Sequence, residues 1–243
     1  MSNDRTRGLF TPTHHAMLFA WLSRALIQRA GEEKGARIVR QSVRRYGEQR
    51  GRLMALRAQA NGHPLTMANY VAYSEWEGGK DDSLQEVAER APDTRVLIHR
   101  CPWNNAWAEN DLTPYGRYYC LEVDEALVRG FNPDLRLDVK STLPNDDSSC
   151  EFAFRDANLS FFNYLGLAYK KAFKPGKKAI MPWRYHLGHL YKTMSQVFVE
   201  EMGTVGQEAA DAALGEFAAE YGRDAADVVA SYEATDFDRL PPD

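Results

Sequence analysis

The chain of 243 residues is poor in cysteine. Its three cysteines are Cys101, Cys120 and Cys150, and no two of them have CxxC spacing. A disulfide-rich secreted domain has a dense, even set of cysteines, and a structural zinc site usually has closely paired ligands. Neither pattern is present. We therefore expect reduced thiols in a cytoplasmic protein, available to react or to bind a ligand.

Long apolar runs and a surplus of positive charge are also lacking. No apolar run approaches the roughly 18 residues of a membrane span, and the opening MSNDRTRGLF is polar, unlike a signal peptide. The formal net charge is −4, whereas nucleic-acid binding needs clustered cations that displace counterions. The basic stretches at 40–52 and 169–178 are interpreted as solvated helix and loop surfaces. These features predict neither a membrane nor a nucleic-acid partner.

The chain is rich in apolar residues with a clear period. Hydrophobic residues make up 44% of it, enough for a sizeable core. HHAMLFAWLSRALIQRA predicts a helix that ends at Gly31, and a second helix follows over about 33–59. LQEVAER with RVLIHRC, and LRLDVKSTL with SCEFAFR, flank turn-forming residues and predict two hairpins. We predict an α+β fold with helical hairpins packed on a small four-stranded, mostly antiparallel sheet.

A single α+β domain is predicted over residues 14–235, between a polar lead-in at 1–13 and a tail at 236–243. The predicted order is helices over 14–77, the sheet with further helices over 84–156, and helices again over 158–233. Thr66 can cap a helix over MANYVAYSEW that stops at the glycine pair 78–79. The remaining helices are predicted over 103–128 with a break at Pro114, and over 158–172, 184–202, 204–221 and 223–233.

Two helical segments resemble each other. Residues 14–31 align with residues 186–203 without a gap, and each copy continues into a second helix that ends in a Tyr-Gly pair, at 46–47 and at 221–222. The match indicates either an internal duplication or two unrelated amphipathic hairpins.

The three cysteines occupy different predicted elements. Strand alternation puts His99 and Cys101 on the same face, and helical spacing puts Cys120 and Asp124 on one face of a helix. Cys150 aligns with two phenylalanines and is the one expected to pack in the core. Since free cysteine is often a small buried hydrophobe, a packing role stays open for all three.

A histidine pair suggests a metal as an alternative. His186 and His189 lie three residues apart on a predicted helix and share a face, which is suitable for chelation. His14 or His15 could supply a third nitrogen if the two helical hairpins pair. HxxH alone is a weak signal compared with HExxH, so solvent-facing or core-edge histidines are the competing interpretation.

The stretch RRYGEQRGRLMALRA places Tyr46, Arg50 and Arg57 on nearly one helical stripe. Gly47 and Gly51, between them, each weaken a helix by about 1 kcal/mol relative to alanine. Close approach of another backbone or of a ligand would compensate. An arginine there could bind a carboxylate bidentately. The simpler hypothesis is that the glycines permit tight helix packing while the arginines are solvated.

Several motifs together resemble one family. YGEQRGRLMALRA, ANYVAYSEW, RCPWNNAW, YGRYYCLEVDEALVRGFNPDL and SSCEF, over about residues 14–155, are similar to the L-2-amino-thiazoline-4-carboxylic acid hydrolase family. The order CPW, then YC with Asp124 four residues on, then GFNP is the most specific part. The family is also distantly similar to the small-molecule-binding domains named after vinyl reductase.

The resemblance implies hydrolytic opening of a small heterocycle at an amidine- or amide-like carbon, by C–N or C–S cleavage. Cys101 is a candidate nucleophile, His99 is its partner or a general base for water, and Asp124 is a candidate to hold the protonated nitrogen. No cofactor is specified, and a divalent metal such as Zn or Mn stays an alternative. The candidate substrate-binding residues are Arg50 for a carboxylate, Asn132 for an oxyanion or leaving atom, Cys120 and Trp103.

Two other functions compete with the hydrolase. One is a non-catalytic module that binds a small molecule or a metal, and the other is a metal-dependent enzyme built on His186 and His189. Aromatic residues crowd into 103–119 and 183–191, which fits a planar-ligand pocket and an aromatic core equally well. The expected partner is a small-molecule substrate, and self-association into a homo-oligomer is left open.

Overall fold

The computed structural model describes residues 10–76, 83–159 and 179–241. The chain divides into two compact units and passes from one to the other five times. The prediction of one domain over 14–235 stays a prediction. The first unit takes the described residues within Met1–Tyr46, Pro102–Cys120 and Pro182–Thr235, and the second takes those within Gly47–Cys101, Leu121–Met181 and Asp236–Asp243.

Helices build the first unit. Its central helix is α1, whose middle is buried without interruption from Ala16 to Ser23. A helix that is apolar on nearly all sides must be surrounded by other elements, and α1 packs against further helices of the unit. The unit consists of α1 (Pro12–Ala30), the first part of α2 (Glu32–Ala60), α4 (Pro102–Glu109), α5 (Thr113–Cys120), α7 (Trp183–Met202), α8 (Thr204–Tyr221) and α9 (Arg223–Ala230).

Both predicted helical hairpins form. A single glycine joins each pair of helices, Gly31 with φ of 81° and Gly203 with φ of 59°, and a side chain would disfavour such angles. The second Tyr-Gly pair ends α8, but the prediction that the first pair ends a helix is wrong, because Gly47 lies inside α2. The duplication itself stays a prediction.

The second unit combines a sheet with helices. Besides the second part of α2 it contains α3 (Met67–Ala72) and α6 (Val123–Phe131). The Thr66 side chain caps α3, as predicted, by accepting a hydrogen bond from the Asn69 backbone. The strands are β1 (Leu84–Glu89), β2 (Thr94–Arg100), β3 (Leu137–Ser141) and β4 (Cys150–Phe154), and a 3₁₀ turn over Leu143–Asn145 lies between the last two.

The sheet order is β1-β2-β4-β3, and all its strand pairs are antiparallel. Both predicted hairpins are present, so the predicted α+β class and four-stranded sheet are confirmed. The central pair, β2 with β4, joins the hairpins and places Ile98 opposite Cys150. The end of β2 and the start of β4 are therefore neighbours, and Cys101 and Cys150 lie at these two strand ends.

Three predicted helices differ from the structure. The helix over MANYVAYSEW ends at Ala72, well before the glycines, and the predicted 103–128 helix is three helices, α4, α5 and α6. Pro114 lies in the first turn of α5 instead of breaking a helix, since that position needs no backbone N–H donor. The predicted helix over 158–172 and the basic stretch at 169–178 lie almost entirely outside the described residues. Within the described ranges, no helix is long and apolar enough to cross a membrane.

Glycines bring α2 and α6 into backbone contact. A Cβ at Gly47 would lie 2.7 Å from the Ala126 Cβ, and a Cβ at Gly51 would lie 2.6 Å from the Phe131 nitrogen. Gly130 on α6 meets the α2 backbone at Glu48 in the same way. The two costly glycines of α2 are thus explained by the close approach of another backbone.

We expect Gly51→Ala to destabilise the protein by about 1–3 kcal/mol, because the added methyl group would overlap the backbone of α6. Urea unfolding measures the change. Gly215→Ala is the matched control, since nothing lies within 4 Å of a Cβ at this helical glycine, and we expect it to stabilise by about 0.5–1 kcal/mol. Equal stability of Gly51→Ala and wild type would contradict the described α2–α6 contact.

Candidate functional site

A buried ion-pair triad lies in the second unit. Arg50 Nε donates to Glu75 Oε2 at 3.0 Å, and Arg57 Nη1 donates to the other carboxylate oxygen, Oε1. The side chains of Arg50 and Glu75 are fully buried, and that of Arg57 is 11% exposed. The Arg50 guanidinium also stacks on Trp76, 3.6 Å from the ring centroid. Arg50 is therefore fixed in position and is not the solvated arginine of the simpler hypothesis.

Asp124 lies in the first turn of α6 and is half-buried. Loss of water around the carboxyl and, after it, the neighbouring Glu125 charge raise its pKa, whereas Arg50 lowers it, and the resulting pKa is about 7. The pKa of the Tyr70 hydroxyl depends on Asp124 and Arg50. Burial and then Asp124 raise the pKa of Tyr70, and Arg50 lowers it. Asp124, Arg50 and Tyr70 thus form one electrostatically coupled group with a carboxyl that titrates near neutral pH.

The thiol of Cys150 lies within electrostatic range of Asp124 and of a second thiol, that of Cys101. Cys150 is buried at the start of β4, and its sulfur accepts a hydrogen bond from the Leu143 backbone at 3.3 Å. Burial raises the pKa of Cys150, the hydrogen bond from the Leu143 backbone lowers it, and Cys101 and Asp124 raise it, with a resulting pKa of about 11. Both residues therefore lie within electrostatic range of the same sulfur. Cys101 follows β2 directly and is half-buried.

Cys150 fits the packing role predicted for it, because it is buried and because burial favours its protonated form. The prediction that Cys120 and Asp124 share one helix face is wrong. Helix α5 ends at Cys120 and α6 begins at Val123, since the two residues between them form a turn. Apolar spacing continues across this turn, so periodicity did not reveal the break.

His99 and Asn132 contact other parts of the second unit. The His99 Nε2 atom lies 3.6 Å from Glu86 on β1, and the side chain is 38% exposed. Asn132 ends α6, donates from Nδ2 to the Leu65 carbonyl at 2.8 Å and accepts from the Asp134 backbone at 3.0 Å. These bonds give Asn132 a structural task at the helix end. The chemical roles assigned to both residues stay predictions.

The first unit has its own cluster, centred on a fully buried histidine, His15. Trp103 Nε1 donates to His15 Nδ1 at 3.1 Å, and His15 Nε2 lies 3.0 Å from the Tyr46 hydroxyl. An indole N–H can only donate, so Nδ1 accepts and the ring is neutral with its proton on Nε2. The Tyr46 oxygen then accepts that proton's hydrogen bond. Trp183 and Tyr119 also surround His15.

This cluster brings together aromatic residues from 103–119 and 183–191, the two segments in which aromatic residues are concentrated. Trp103 and Trp183 are half-buried, with ring centroids 5.6 Å apart. His186 and His189 are fully buried on α7, so the prediction of solvent-facing histidines is wrong. Across residues 10–76, 83–159 and 179–241, no group of three or more His, Cys, Asp or Glu side chains could hold a metal ion. The metal prediction gains no third ligand from these residues.

The sequence did not predict two residues that interact with Arg50, namely Glu75 and Tyr70. Both lie in ANYVAYSEW, for which the sequence predicted a helix and a family resemblance but no buried ion pair. A single acidic residue in an aromatic, apolar segment was the available signal, since a buried carboxylate requires a cation. Arg50 and Arg57, on the facing stripe of α2, are those cations.

A comparison with known protein families gives a match. The family model described as L-2-amino-thiazoline-4-carboxylic acid hydrolase matches residues 12–154. This range includes the triad, Asp124, the three cysteines and the aromatic cluster as far as Tyr119. Neither the curated proteins nor the solved structures contain a match to the chain.

Asp124 makes stability depend on pH in an unusual direction. Its pKa is about 7 in the folded protein and ordinarily 3.8, so between these values the folded state holds a proton that the unfolded chain has released. Stability therefore falls as pH rises from about 4 to 7, and the full penalty remains above 7. Asp124→Asn removes this penalty. We expect the variant to gain up to about 2–4 kcal/mol over wild type at pH 8 and much less at pH 5.

Urea unfolding of both proteins at pH 5, 6, 7 and 8 measures the difference. Asp134→Asn is the control for net charge, because it removes an exposed carboxylate of the same unit. A pH-independent difference between Asp124→Asn and wild type would show that the Asp124 carboxyl does not titrate in this range.

Proposed function

Because the chain belongs to the L-2-amino-thiazoline-4-carboxylic acid hydrolase family, we propose that it hydrolyses a small heterocycle at an amidine- or amide-like carbon. With a substrate of the name-giving type, the water oxygen bonds to the ring carbon between sulfur and nitrogen and the carbon–sulfur bond breaks. The two hydrogens of water end on the ring nitrogen and on sulfur, and the product is an N-carbamoyl amino acid. The observation that carries the proposal is the Asp124 carboxyl, whose pKa of about 7 suits proton transfer.

Asp124 is proposed to work in its ionised form first. A cyclic amidine is cationic or nearly so, and a carboxylate pairs with its protonated nitrogen. Transfer of the substrate into a site with little water strengthens that pairing. When water adds to the ring carbon, the carboxyl accepts a proton from that water and passes it to the departing atom. When a thiolate adds, the departing sulfur leaves as a thiolate, and its proton comes through the carboxyl from the water that later hydrolyses the adduct. A carboxyl with a pKa near the working pH can perform both steps.

Arg50 is proposed to bind the carboxylate of the substrate. Glu75 holds its Nε and Trp76 covers one face of the guanidinium, so the plane of the group is fixed. A fixed guanidinium binds a carboxylate with little loss of side-chain entropy. The same arginine lowers the pKa of Asp124, which keeps the proton-transferring carboxyl from becoming permanently protonated.

The nucleophile is either the Cys101 thiolate or a water molecule. Cys101 is half-buried at the end of β2, and attack by its sulfur would give a covalent adduct at the ring carbon that water then hydrolyses. With water as the nucleophile, His99 or Asp124 takes its proton. Cys150 is a poor nucleophile near neutral pH, because its pKa is raised to about 11. Oxyanion stabilisation by Asn132 is a further part of the proposal. Substrate contacts of Cys120 and Trp103, and a divalent metal as an alternative, stay predictions.

A binding module without catalysis is the second candidate. The specific observation in its favour is the aromatic cluster of the first unit, in which two half-buried tryptophans lie beside a fully buried histidine. Such rings suit a planar ligand. The two candidates differ in outcome, because a binding module would shift its melting temperature with ligand and yield no hydrolysis product by mass spectrometry.

We expect wild type to convert 2-amino-thiazoline-4-carboxylate to its N-carbamoyl product and Asp124→Asn to lose at least about 100-fold in kcat, the usual share of an acid–base residue. Product is measured by mass spectrometry, with circular dichroism as a check of folding and Asp134→Asn as the exposed carboxylate control. Turnover by Asp124→Asn at the wild-type rate would refute the role of Asp124. Cys101→Ala distinguishes the two candidate nucleophiles. If the Cys101 thiolate attacks the substrate, this variant loses turnover and no longer forms the covalent adduct that can be trapped in wild type.

Glu125→Gln tests the charge that acts on Asp124. Because the Glu125 charge raises the pKa of Asp124, its removal lowers that pKa and the ionised carboxylate persists at lower pH. We expect the rising limb of kcat/KM, with a midpoint near pH 7 in wild type, to move to lower pH in Glu125→Gln. A profile with an unchanged midpoint would assign the titration to another group.

A further inference from the structure

A tyrosine hydroxyl shares the surroundings of Asp124. The ring of Tyr70, on α3, packs edge-on against the ring of Phe131 on α6, with centroids 5.7 Å apart, and its centroid lies 6.5 Å from that of Phe154 on β4. Asp124 and Phe131 are seven residues apart on α6, which places them on one face of the helix, about two turns from each other. Tyr70 therefore packs on the helix face to which Asp124 belongs.

The hydroxyl and the carboxyl interact electrostatically but do not bond each other. Asp124 raises the pKa of Tyr70, and Arg50 lowers the pKa of both groups. Among the described residues, neither the Tyr70 hydroxyl nor the Asp124 carboxyl has a hydrogen-bond or ion-pair partner. Two polar groups that lie within electrostatic range without a direct bond leave room for a small molecule that bonds both.

Both groups are open to solvent. Tyr70 and Asp124 are half-buried, in contrast to the fully buried Arg50 and Glu75. The oxygens of their side chains are not among the buried polar atoms that lack a partner in the described part of the chain. Because these oxygens have no partner there, each retains contact with solvent. A water molecule can therefore reach both groups.

The chemistry of the two groups selects water as the molecule between them. Burial raises the pKa of Tyr70, so its hydroxyl keeps its proton in the neutral range and donates, whereas an ionised carboxylate only accepts. A water molecule accepts from the hydroxyl, donates to the carboxylate and keeps a second lone pair for attack. A protonated ring nitrogen has no lone pair for the hydroxyl, so it fits the other oxygen of Asp124 alone.

We propose that Tyr70 is a catalytic residue that donates a hydrogen bond to the water molecule which Asp124 deprotonates. This inference rests on the proposed function, which supplies the addition of water, and it names the second residue that binds this water. As the water oxygen bonds to the ring carbon, its proton passes to Asp124 and then to the departing atom. Tyr70 gives up no proton, and its hydroxyl stabilises the negative charge that develops on the same oxygen. On the thiolate route, the same water hydrolyses the adduct.

A purely structural role for Tyr70 has different consequences. Phenylalanine keeps the ring contacts with Phe131 and Phe154, so Tyr70→Phe would then behave as wild type. If the hydroxyl binds the water molecule, the same variant loses rate although its packing is retained. Tyr73→Phe is the matched control, because it removes another tyrosine hydroxyl at the end of α3, which lies 2.8 Å from His63 Nδ1.

The first experiment measures hydrolysis of 2-amino-thiazoline-4-carboxylate by wild type, Tyr70→Phe and Tyr73→Phe. We expect Tyr70→Phe to lower kcat about 100-fold, the usual share of one donor to a developing oxyanion, and to change KM by less than about threefold. Tyr73→Phe should keep the wild-type kcat. A kcat of Tyr70→Phe equal to that of wild type would overturn the inference, and so would a loss confined to KM.

The second experiment needs no turnover. A water molecule held by Tyr70 stabilises the ionised form of Asp124 through its hydrogen bond, so Tyr70→Phe should raise the pKa of Asp124 above its value of about 7. The unfolded chain keeps the ordinary value of 3.8, so the variant loses stability relative to wild type at pH 8 and almost none at pH 5. In urea unfolding across this range, the stability of the variant should level off about half a unit to one unit higher in pH than that of wild type.

Asp124→Asn provides the control for this measurement, since the effect of Tyr70→Phe should become independent of pH once the carboxyl is removed. The other groups that interact with this carboxyl do not imitate the effect, because Arg50 keeps its charge, the pKa of Cys150 is about 11, and Glu125 is present in every variant. Equal pH dependence of Tyr70→Phe and wild type, or a pH-dependent effect that persists in the Asp124→Asn background, would contradict the shared water molecule. Absence of turnover by wild type would refute the proposed function, while the unfolding curves still decide whether Tyr70 and Asp124 share the water molecule.

Discussion

The backbone contact between α2 and α6 determines the arrangement of charged groups in the second unit. Gly47 and Gly51 on one helix and Gly130 on the other leave no room for side chains between them. Arg50 lies on α2 among these glycines, and Asp124 lies in the first turn of α6. The close approach therefore holds a guanidinium and a carboxyl within electrostatic range. The glycines lower the helix propensity of α2, and the close approach that they allow brings the charges of Arg50 and Asp124 into interaction.

Burial of charge is the second constraint, and it acts with opposite results on two carboxyls. Glu75 is fully buried but receives hydrogen bonds from two guanidiniums. For Asp124, loss of water and the Glu125 charge outweigh Arg50, and its pKa rises to about 7. One carboxylate thus holds two arginines through its hydrogen bonds, while the other has a pKa near neutrality and is able to gain and lose a proton.

Periodicity predicted most of the fold and little of the site. The strands follow from alternation, and the long helices follow from apolar stripes bounded by glycine, because both signals are local. The turn between Cys120 and Val123 escaped, since the apolar spacing continues through it. The partners of Arg50 were not predicted, for a different reason. Glu75 and Trp76 are 25 and 26 residues away along the chain, and which carboxylate reaches a given arginine depends on packing that no local pattern encodes. The glycines of α2 did reveal the close approach, without naming α6.

The electrostatics of the second unit also couple the two steps proposed for the reaction. Arg50 lowers the pKa of Asp124 in the free protein. An anionic group bound beside Arg50 would offset that effect, because a negative charge compensates the guanidinium and disfavours a second negative charge nearby. The proton affinity of Asp124 would then rise when the ligand carboxylate is in place. A substrate with a carboxylate would thereby make the ionised Asp124 a stronger base toward the attacking water, whereas the same ring without a carboxylate would leave Asp124 as it is in the free protein.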